Sequence, residues 1–385
     1  MESENSLKLL KVAVVHDWLV DMGGAEKVLA SILKIFPQAD VYTLVCGMDS
    51  TKLNKLGISK TPKTSFIQKL PFATKKYRSY FPLMPLAIQQ LDLSEYDLVV
   101  SSSYCVAKGV ITGPNQVHIS YCHSPVRYAW DLQFQYLKEG GVNTGLKSAV
   151  ARYFLFKLRA FDVWSSNAVD DFVANSQFIK KRIEKLYRRK ATVIHPPVDV
   201  SSFGLCEEKL EYYFTCSRMV PYKRIDLIVE AFKNIPDKKL VVVGDGPDFD
   251  KVSALAGGNV DIKGFVEYPE LISIMKNAKA FVYAAEEDFG IVPVEAQACG
   301  TPVICYGRGG VLDTVVDGST GIYFKDQTCE AIVDAIHKFE GASLFDYKRI
   351  SEHAKSFSEE RFLEEFSDHV ISKVTEAFGK IEADQ

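Results

Sequence analysis

Short apolar runs, each followed by turn residues and then by a helical pattern, recur along the whole chain. In the first half they are Val12–His16, Asp40–Val45, Asp97–Ser101, Val117–Cys122, Asp171–Ala174 and Ala191–Ile194. In the second half they are Tyr212–Cys216, Leu240–Val243, Val260–Lys263, Ala280–Tyr283, Pro302–Cys305 and Gly321–Phe324. Strands of about five residues, apolar on both faces and alternating with helices, belong in parallel sheets covered on both sides. A chain of 385 residues is too long for one ordinary core. The expected class is therefore α/β, with two Rossmann-like, doubly wound domains facing a cleft: residues 1–200, and residues 201–355. The joint is expected within Ile194–Gly204, where IHPPVDVSSFG carries two prolines and a glycine. From about Ser356 to Ala383, Phe357, Phe362, Phe366, Val370, Val374 and Phe378 recur at helical spacing. This tail, about residues 356–385, is expected to return as a helix to the first domain.

The bulk properties narrow the function class. A formal net charge of -3 gives no global positive field, so nucleic acid is not an expected partner. The cysteines are scattered, without a CxxC pair, and read as reduced thiols rather than a disulfide framework. The start, MESENSLKLLKVAVV, has acids before its apolar stretch and no small-residue cleavage site, which makes a poor signal peptide. No uncharged apolar run reaches the ~20 residues needed to span a bilayer. The expected location is the cytoplasm, with a peripheral place at the inner face of the membrane.

In open parallel sheets ligands bind at the carboxyl ends of strands, and the chemistry-bearing residues follow the apolar runs. Glu287-Asp-Phe-Gly-Ile-Val-Pro-Val-Glu295 joins a strand to a helix expected to begin near Pro293. Backbone N–H groups around Phe289, Gly290, Ile291 and Val292 then point at an anion, and Glu295 sits one turn in. The competing reading is that the two acids only favour the helix dipole. Arg218-Met-Val-Pro-Tyr-Lys223-Arg224 follows the strand YYFTCS, and its cations suit a diphosphate; a solvated basic turn is the plain alternative. VVVGDGPDFD ends a strand on Gly244 and Gly246, but Phe249 occupies the third glycine position of a dinucleotide turn. Asp248 and Asp250 match a short acidic metal motif, yet acids after Gly-Pro more often begin a helix.

In the first half, Gly23 and Gly24 precede a helix and let a ligand approach the backbone; a tight turn without a ligand is equally open. His123 ends a strand on the expected cleft side, either as a substrate contact or as a structural histidine. Residues 60–81 carry Lys60, Lys63, Lys69, Lys75, Lys76 and Arg78 with no acid, interleaved with Phe66, Phe72, Tyr80 and Phe81. Lys147, Arg152, Lys157 and Arg159 lie among Tyr153, Phe154 and Phe156. Such segments suit an anionic membrane surface or a lipid-phosphate acceptor, against an ordinary solvated face. Gly-x-Ser-x-Gly, Walker and His-Glu-x-x-His motifs are absent from the sequence.

Over nearly its whole length the sequence resembles glycosyltransferase family 4, the retaining enzymes of GT-B fold. The residues that carry this are Glu287-x7-Glu295 with Phe-Gly-x-x-Pro inside it, Arg218-x4-Lys223, Gly23-Gly24, His123, the GDGP turn, and the Gly-Gly…Asp-Gly-x-x-Gly segment of residues 309–321. The resemblance implies that Arg218 and Lys223 neutralise a donor diphosphate. It also implies that Glu287 and the backbone of residues 289–292 hold the donor sugar, that Glu295 holds the ribose, and that Phe265 and Val266 meet the base. His123 is then placed by the sugar, and Gly23, Gly24 and Gly244 in the donor-binding loops. No metal or other cofactor is implied. HDWLVDMGGAEKVL and YCHSPVRYAWD look closest to bacterial mannosyltransferases of O-antigen and exopolysaccharide assembly. That implies GDP-mannose as donor and a lipid-linked oligosaccharide as acceptor. His195-Pro-Pro-Val-Asp departs from the Pro-Asn-Gly-Val-Asp of many members. The alternatives are a UDP-sugar-dependent enzyme of the same fold, a nucleotide-sugar epimerase of GT-B type, a non-catalytic donor-binding subunit, and an NAD-dependent oxidoreductase, which would lack its glycine fingerprint.

Overall fold

A computed structural model describes residues 7, 9–342 and 345–379. Residues 1–6 and 8, which carry the acids of the leader argument, and residues 380–385 of the expected tail lie outside the described residues. The chain divides into two compact units, residues 1–195 with 362–385, and residues 196–361.

The first unit holds β1 (Val12–His16), β2 (Asp40–Thr43), β3 (Lys63–Thr64), β4 (Leu98–Ser103), β5 (Val117–Cys122), β6 (Asp171–Ala174) and β7 (Thr192–Val193). They form one sheet in the order β3-β2-β1-β4-β5-β6-β7, parallel at every pairing. The second unit holds β8 (Leu210–Cys216), β9 (Lys239–Val243), β10 (Val260–Gly264), β11 (Ala278–Tyr283), β12 (Val303–Tyr306) and β13 (Gly321–Phe324), in the order β10-β9-β8-β11-β12-β13 and again parallel. In both sheets the first strand lies inside and the order reverses beside it, which is the doubly wound pattern.

The strand sequences explain the layering. Side chains alternate faces along a strand, so Val12 and Val14 enter one core while Ala13 and Val15 enter the core on the opposite face. In the second unit Ala280 and Val282 face one core, Phe281 and Tyr283 the other. Apolar residues at every position are what a sheet with two covered faces requires.

Two sequence expectations move. The expected boundaries at 200 and 355 shift to 195 and 361, because Val198 donates its N–H to the Phe357 carbonyl at 2.9 Å and both residues lie in the second unit's core. Lys63–Thr64, read as part of a basic surface segment, also forms the edge strand β3, pairing Lys63 with Tyr42 and Thr64 with Thr43. The last helix, Glu359–Phe378, buries Phe362, Phe366, Val370 and Val374 in the first unit's core, where Phe362 and Phe366 meet Tyr121 edge-on. At about 2 kcal/mol for each buried side chain, this stripe is a substantial share of that core. All the cysteines are free, and none is fully exposed. Among the described residues no helix is long and apolar enough to cross a membrane.

Candidate active site

In the second unit the strand order reverses between β8 and β11, and the residues expected to carry chemistry gather there. Arg218 and Lys223 follow β8, and Glu287 follows β11. The Lys223 ammonium and the Glu287 carboxylate form an ion pair, and the Tyr283 hydroxyl, at the end of β11, donates to the same carboxylate. Burial pushes the Lys223 ammonium down, but the Glu287 charge beside it wins and holds it above its usual value. Arg218 is exposed, and its guanidinium has no partner among the described residues. The site therefore offers one cation engaged by an acid and one held open.

Glycines fix the path of these loops. Gly310 donates its N–H to the Glu287 carbonyl at 2.8 Å. A Cβ on Gly310 would stand 2.3 Å from the Asp288 carbonyl oxygen and 2.4 Å from the Phe289 Cα. The Gly309–Gly310 turn is thus the floor under the Glu287 loop. Gly244 (φ +132) leaves no room for a Cβ, which would fall 1.9 Å from the Ser217 carbonyl oxygen. The chain itself demands this glycine, because the turn after β9 packs on the loop that carries Arg218.

The helix after Glu287 runs Ile291–Ala298, with Gly290 at its N-cap in the left-handed region, φ +88. It begins before Pro293, where the sequence reading placed its start. Proline in the first turn wastes no hydrogen bond, since that N–H has no helical partner. Phe289 is buried against Phe357, with ring centroids 5.8 Å apart, which anchors the loop while Ile291 and Val292 stay half-buried. Glu295 is 7% exposed. At the end of β10, Gly264 (φ +67) turns the chain so that Phe265 is 76% exposed, with Val266 half-buried beside it. Asp248 stands at the N-cap position of the helix Phe249–Leu255, without a side-chain capping hydrogen bond, and Asp250 lies in its first turn. No group of His, Cys, Asp and Glu among the described residues is arranged to hold a metal ion.

In the first unit the strand order reverses between β1 and β4. His16 ends β1 and pairs in register with Ser102 of β4. Its Nδ1 lies 3.0 Å from the Ser102 hydroxyl, and that hydroxyl lies 2.8 Å from Nε2 of His123, which follows β5. His16 Nε2 lies 3.3 Å from Glu26 Oε1, and Glu26 Oε2 accepts from the Gly23 N–H at 2.9 Å. Gly23 caps the helix Gly24–Ile35, and both glycines are exposed. Asp17, wholly buried, accepts from the backbone N–H groups of Tyr104, Cys105, Val106 and Ala107 at 2.6–2.9 Å. That carboxylate sets the loop after β4 beside His123. Burial drives the His123 imidazole down to about 3, so it is neutral at ordinary pH.

The structure thus brings Lys223, Glu287 and the turn at 309–310 together in one unit, and connects Gly23 to His123 in the other. Tyr283, His16, Ser102 and Glu26 had not been singled out by sequence. His16 and Ser102 are 86 residues apart, and only the pairing of β1 with β4 joins them.

Residues 22–202 match the family model described as Glycosyltransferase Family 4, and residues 199–357 match Glycosyl transferases group 1. The chain is 26% identical over 222 residues to an uncharacterized glycosyltransferase of Methanocaldococcus jannaschii, covering 55% of this chain and 60% of that protein. A GDP-mannose-dependent monoacylated alpha-(1-6)-phosphatidylinositol monomannoside mannosyltransferase of Corynebacterium glutamicum is 30% identical over 203 residues, 44% of this chain and 53% of that one. These matches span little more than half the length of those relatives. The alpha-1,3/1,6-mannosyltransferase of Schizosaccharomyces pombe matches over 95% of this chain and 81% of its own, at 20% identity. Among solved structures, Anabaena HepE in complex with UDP superposes with a TM-score of 0.70 over 94% of this chain and 100% of that chain, at 17% identity. Two glycosyltransferase models that together run from residue 22 to residue 357, with two parallel Rossmann-like sheets of GT-B architecture, make this chain similar to glycosyltransferases along most of its length.

Proposed function

We propose that the chain is a retaining glycosyltransferase that moves mannose from GDP-mannose to a lipid-linked glycan acceptor in surface polysaccharide biosynthesis. The observation that carries the transfer is the Lys223–Glu287–Tyr283 cluster at the strand-order reversal, with Arg218 open beside it. Breaking the donor's glycosidic bond leaves extra negative charge on a diphosphate, and preorganised cations aimed at that charge are typically the largest catalytic term. An arriving diphosphate competes with Glu287 for Lys223 and meets Arg218. The Glu287 carboxylate, released from its ion pair, then accepts from the sugar hydroxyls. The first-turn N–H groups of the helix at Ile291 and Val292 add a fixed positive end. Glu295 is assigned to the ribose, exposed Phe265 with Val266 to the base, and His123 to the sugar. No step needs a metal, because Arg218 and Lys223 supply the positive charge.

The mannose reading is supported by the Corynebacterium and S. pombe relatives, both mannosyltransferases. A UDP-sugar is the competing reading, with the UDP complex of the Anabaena protein behind it. A thermal-shift panel of GDP-mannose, UDP-glucose, UDP-N-acetylglucosamine and their free diphosphates separates them, since a ligand that binds only the folded state raises its melting temperature. GDP-mannose is expected to give the largest shift. Selective stabilisation by a UDP-sugar would replace it.

A lipid-linked acceptor requires access to a membrane surface. Lys60 and Lys63 are engaged by Asp40, but Lys69, Lys75, Lys76 and Arg78 are exposed and make no ion pair among the described residues. Phe72 stands 70% exposed between them, in the left-handed region at φ 55. Phe66 is also exposed, whereas Tyr80 donates to the Pro71 carbonyl and Phe81 packs on Tyr128. The aromatic contribution of this segment therefore rests on Phe72 and Phe66, and not on all four rings. The helix Gly145–Ser165 gives a second surface through Leu146, Tyr153, Phe156 and Lys157, while Arg159 is tied to the Ala129 carbonyl.

A further inference from the structure

We propose that Glu26, a His16 carrying one hydrogen, and Ser102 form a hydrogen-bond relay that fixes the tautomer of His123, keeping its Nε2 protonated and its Nδ1 open to accept from a substrate hydroxyl. The inference rests on the reading of His123 as a sugar contact, but the tautomer itself is a property of the free protein.

The polarity of the relay follows from counting hydrogens. In the relay Glu26 acts as a carboxylate, whose oxygens only accept. One of its oxygens is taken by the Gly23 N–H at 2.9 Å, and the other faces His16 Nε2 at 3.3 Å, so that nitrogen carries the hydrogen. In the proposed relay that is the only hydrogen His16 carries, so its Nδ1 is a bare acceptor and takes the Ser102 hydroxyl hydrogen across 3.0 Å. Ser102 has only that one hydrogen. Toward His123 it can only accept, and the 2.8 Å contact requires a hydrogen on His123 Nε2. His123 is held neutral by burial, so its remaining nitrogen, Nδ1, is unprotonated. Nδ1 has no hydrogen-bond partner among the described residues. Which nitrogen of a neutral imidazole accepts is set by the bond the other one makes.

The surroundings hold the ring in this register. Tyr121 and Tyr104 flank it, with ring centroids at 5.1 and 6.0 Å, and Asn175 Nδ2 donates to the His123 carbonyl at 2.9 Å. The Tyr104 ring also meets His16, at 5.8 Å, and Asp17 beside it is occupied by its four backbone donors. His16 and Ser102 are fully buried, so water does not offer the relay other partners. Gly23 belongs to the device: a Cβ there would stand 2.9 Å from Glu26 Oε2 and push the carboxylate off its place. The relay thus links the glycine loop before the first-unit helix to His123 through the ends of three neighbouring strands, β1, β4 and β5. In this scheme His16, Ser102 and Glu26 are positioning residues.

Glu26→Gln gives a sharp test. The glutamine oxygen is expected to keep the Gly23 N–H, and its NH2 then donates to His16 Nε2. His16 must switch its hydrogen to Nδ1, Ser102 must turn its hydrogen toward His123 Nε2, and His123 must become protonated at Nδ1. Long-range 1H–15N correlation on histidine-labelled protein, without donor, reads each nitrogen directly. The expected result is Nε2–H on His123 in the wild type and Nδ1–H in Glu26→Gln. Ser102→Ala, which cuts the relay, is the second variant and should give a mixture of both tautomers. A wild type protonated at Nδ1, or a tautomer unmoved in the folded variants, overturns the relay. Turnover of Glu26→Gln is expected to fall at least ~10-fold, as when a partner holds an imidazole in the wrong tautomer. If the tautomer flips and turnover does not change, the relay stands and the assignment of His123 to the substrate is the part that fails.

Discussion

The Lys223 ammonium and the Glu287 carboxylate pair with each other across the ends of two adjacent strands, β8 and β11, with Tyr283 donating to the same acid. An anionic ligand at this point takes over a cation that is already placed and partly desolvated, so little reorganisation is needed at the moment of reaction. Lys223→Ala and Arg218→Ala are each expected to lower turnover by at least ~100-fold, the scale of removing one charge-stabilising donor. Circular dichroism should remain that of the wild type. Near-normal rates in both variants would remove the diphosphate assignment.

The Gly309–Gly310 turn supports that pair from below. Gly310→Ala forces a methyl group against the Asp288 carbonyl and the Phe289 Cα, although its own φ of -69 is ordinary for alanine. The Glu287 loop must move, and loss of placement on the order of 1 Å is enough to cost ~100-fold in rate. Gly341→Ala, at the end of the helix Cys329–Gly341 with open space around it, is the control. It should be neutral or stabilising by up to about 1 kcal/mol. Equal activity in the two variants would sink the argument.

His118 sets an expectation for pH. Its imidazole is buried in β5, with Nε2 2.8 Å from the Ser101 hydroxyl, and burial pushes it from the usual 6.5 down to about 4. The folded state then binds fewer protons than the unfolded state between these values. Its share of the stability is present above pH 6.5 and is lost as pH falls toward 4, up to about 3 kcal/mol. His123, pushed down to about 3, acts in the same direction. Urea unfolding between pH 7 and pH 4.5 should therefore show a shallower pH dependence in His118→Gln than in the wild type. Identical slopes would show that His118 carries none of it.

Transfer is expected to continue in excess EDTA, because in the proposed reaction Arg218 and Lys223 take the role a divalent cation would otherwise have. Loss of activity that Mn2+ or Mg2+ restores would mean that a metal serves the reaction after all.

The sheets were legible because their strands announce themselves. Val12–His16 and Ala280–Tyr283 are apolar at nearly every position, and a strand buried on both faces has no other way to read. The two-residue strand Lys63–Thr64 was not legible, since it pairs at two positions on an edge and its composition is that of a surface. Motif residues Arg218, Lys223 and Glu287 stood out by their place after apolar runs. Tyr283 did not, because inside AKAFVYAA it looks like one more core residue; only the turn of the following loop brings the Glu287 carboxylate to its hydroxyl. His16, Ser102 and Glu26 were hidden for a related reason: each is unremarkable locally, and the relay exists only once β1 lies beside β4. The turn residues Gly244 and Gly310 were visible as glycines, but the backbone they must admit lies far away in sequence.

The membrane reading gives the last prediction. Lys69, Lys75, Lys76 and Arg78 are exposed without acidic partners among the described residues, in a segment with exposed Phe66 and Phe72. Each cation near an anionic surface contributes about 1 kcal/mol, and an exposed phenylalanine adds interfacial burial that salt does not screen. Lys60 and Lys63, already held by Asp40, should contribute less. Changing Lys69, Lys75, Lys76 and Arg78 together to Ser is expected to weaken co-sedimentation with anionic liposomes strongly at low salt and to slow transfer to a lipid-linked acceptor. Phe72→Ser should weaken liposome binding at high salt as well, where charge is screened. Thermal stabilisation by the donor should be unchanged in both, because Arg218 and Lys223, the cations proposed to bind the donor, belong to the other unit. Equal liposome binding by the wild type and the quadruple variant at low salt would leave these charges as an ordinary solvated face.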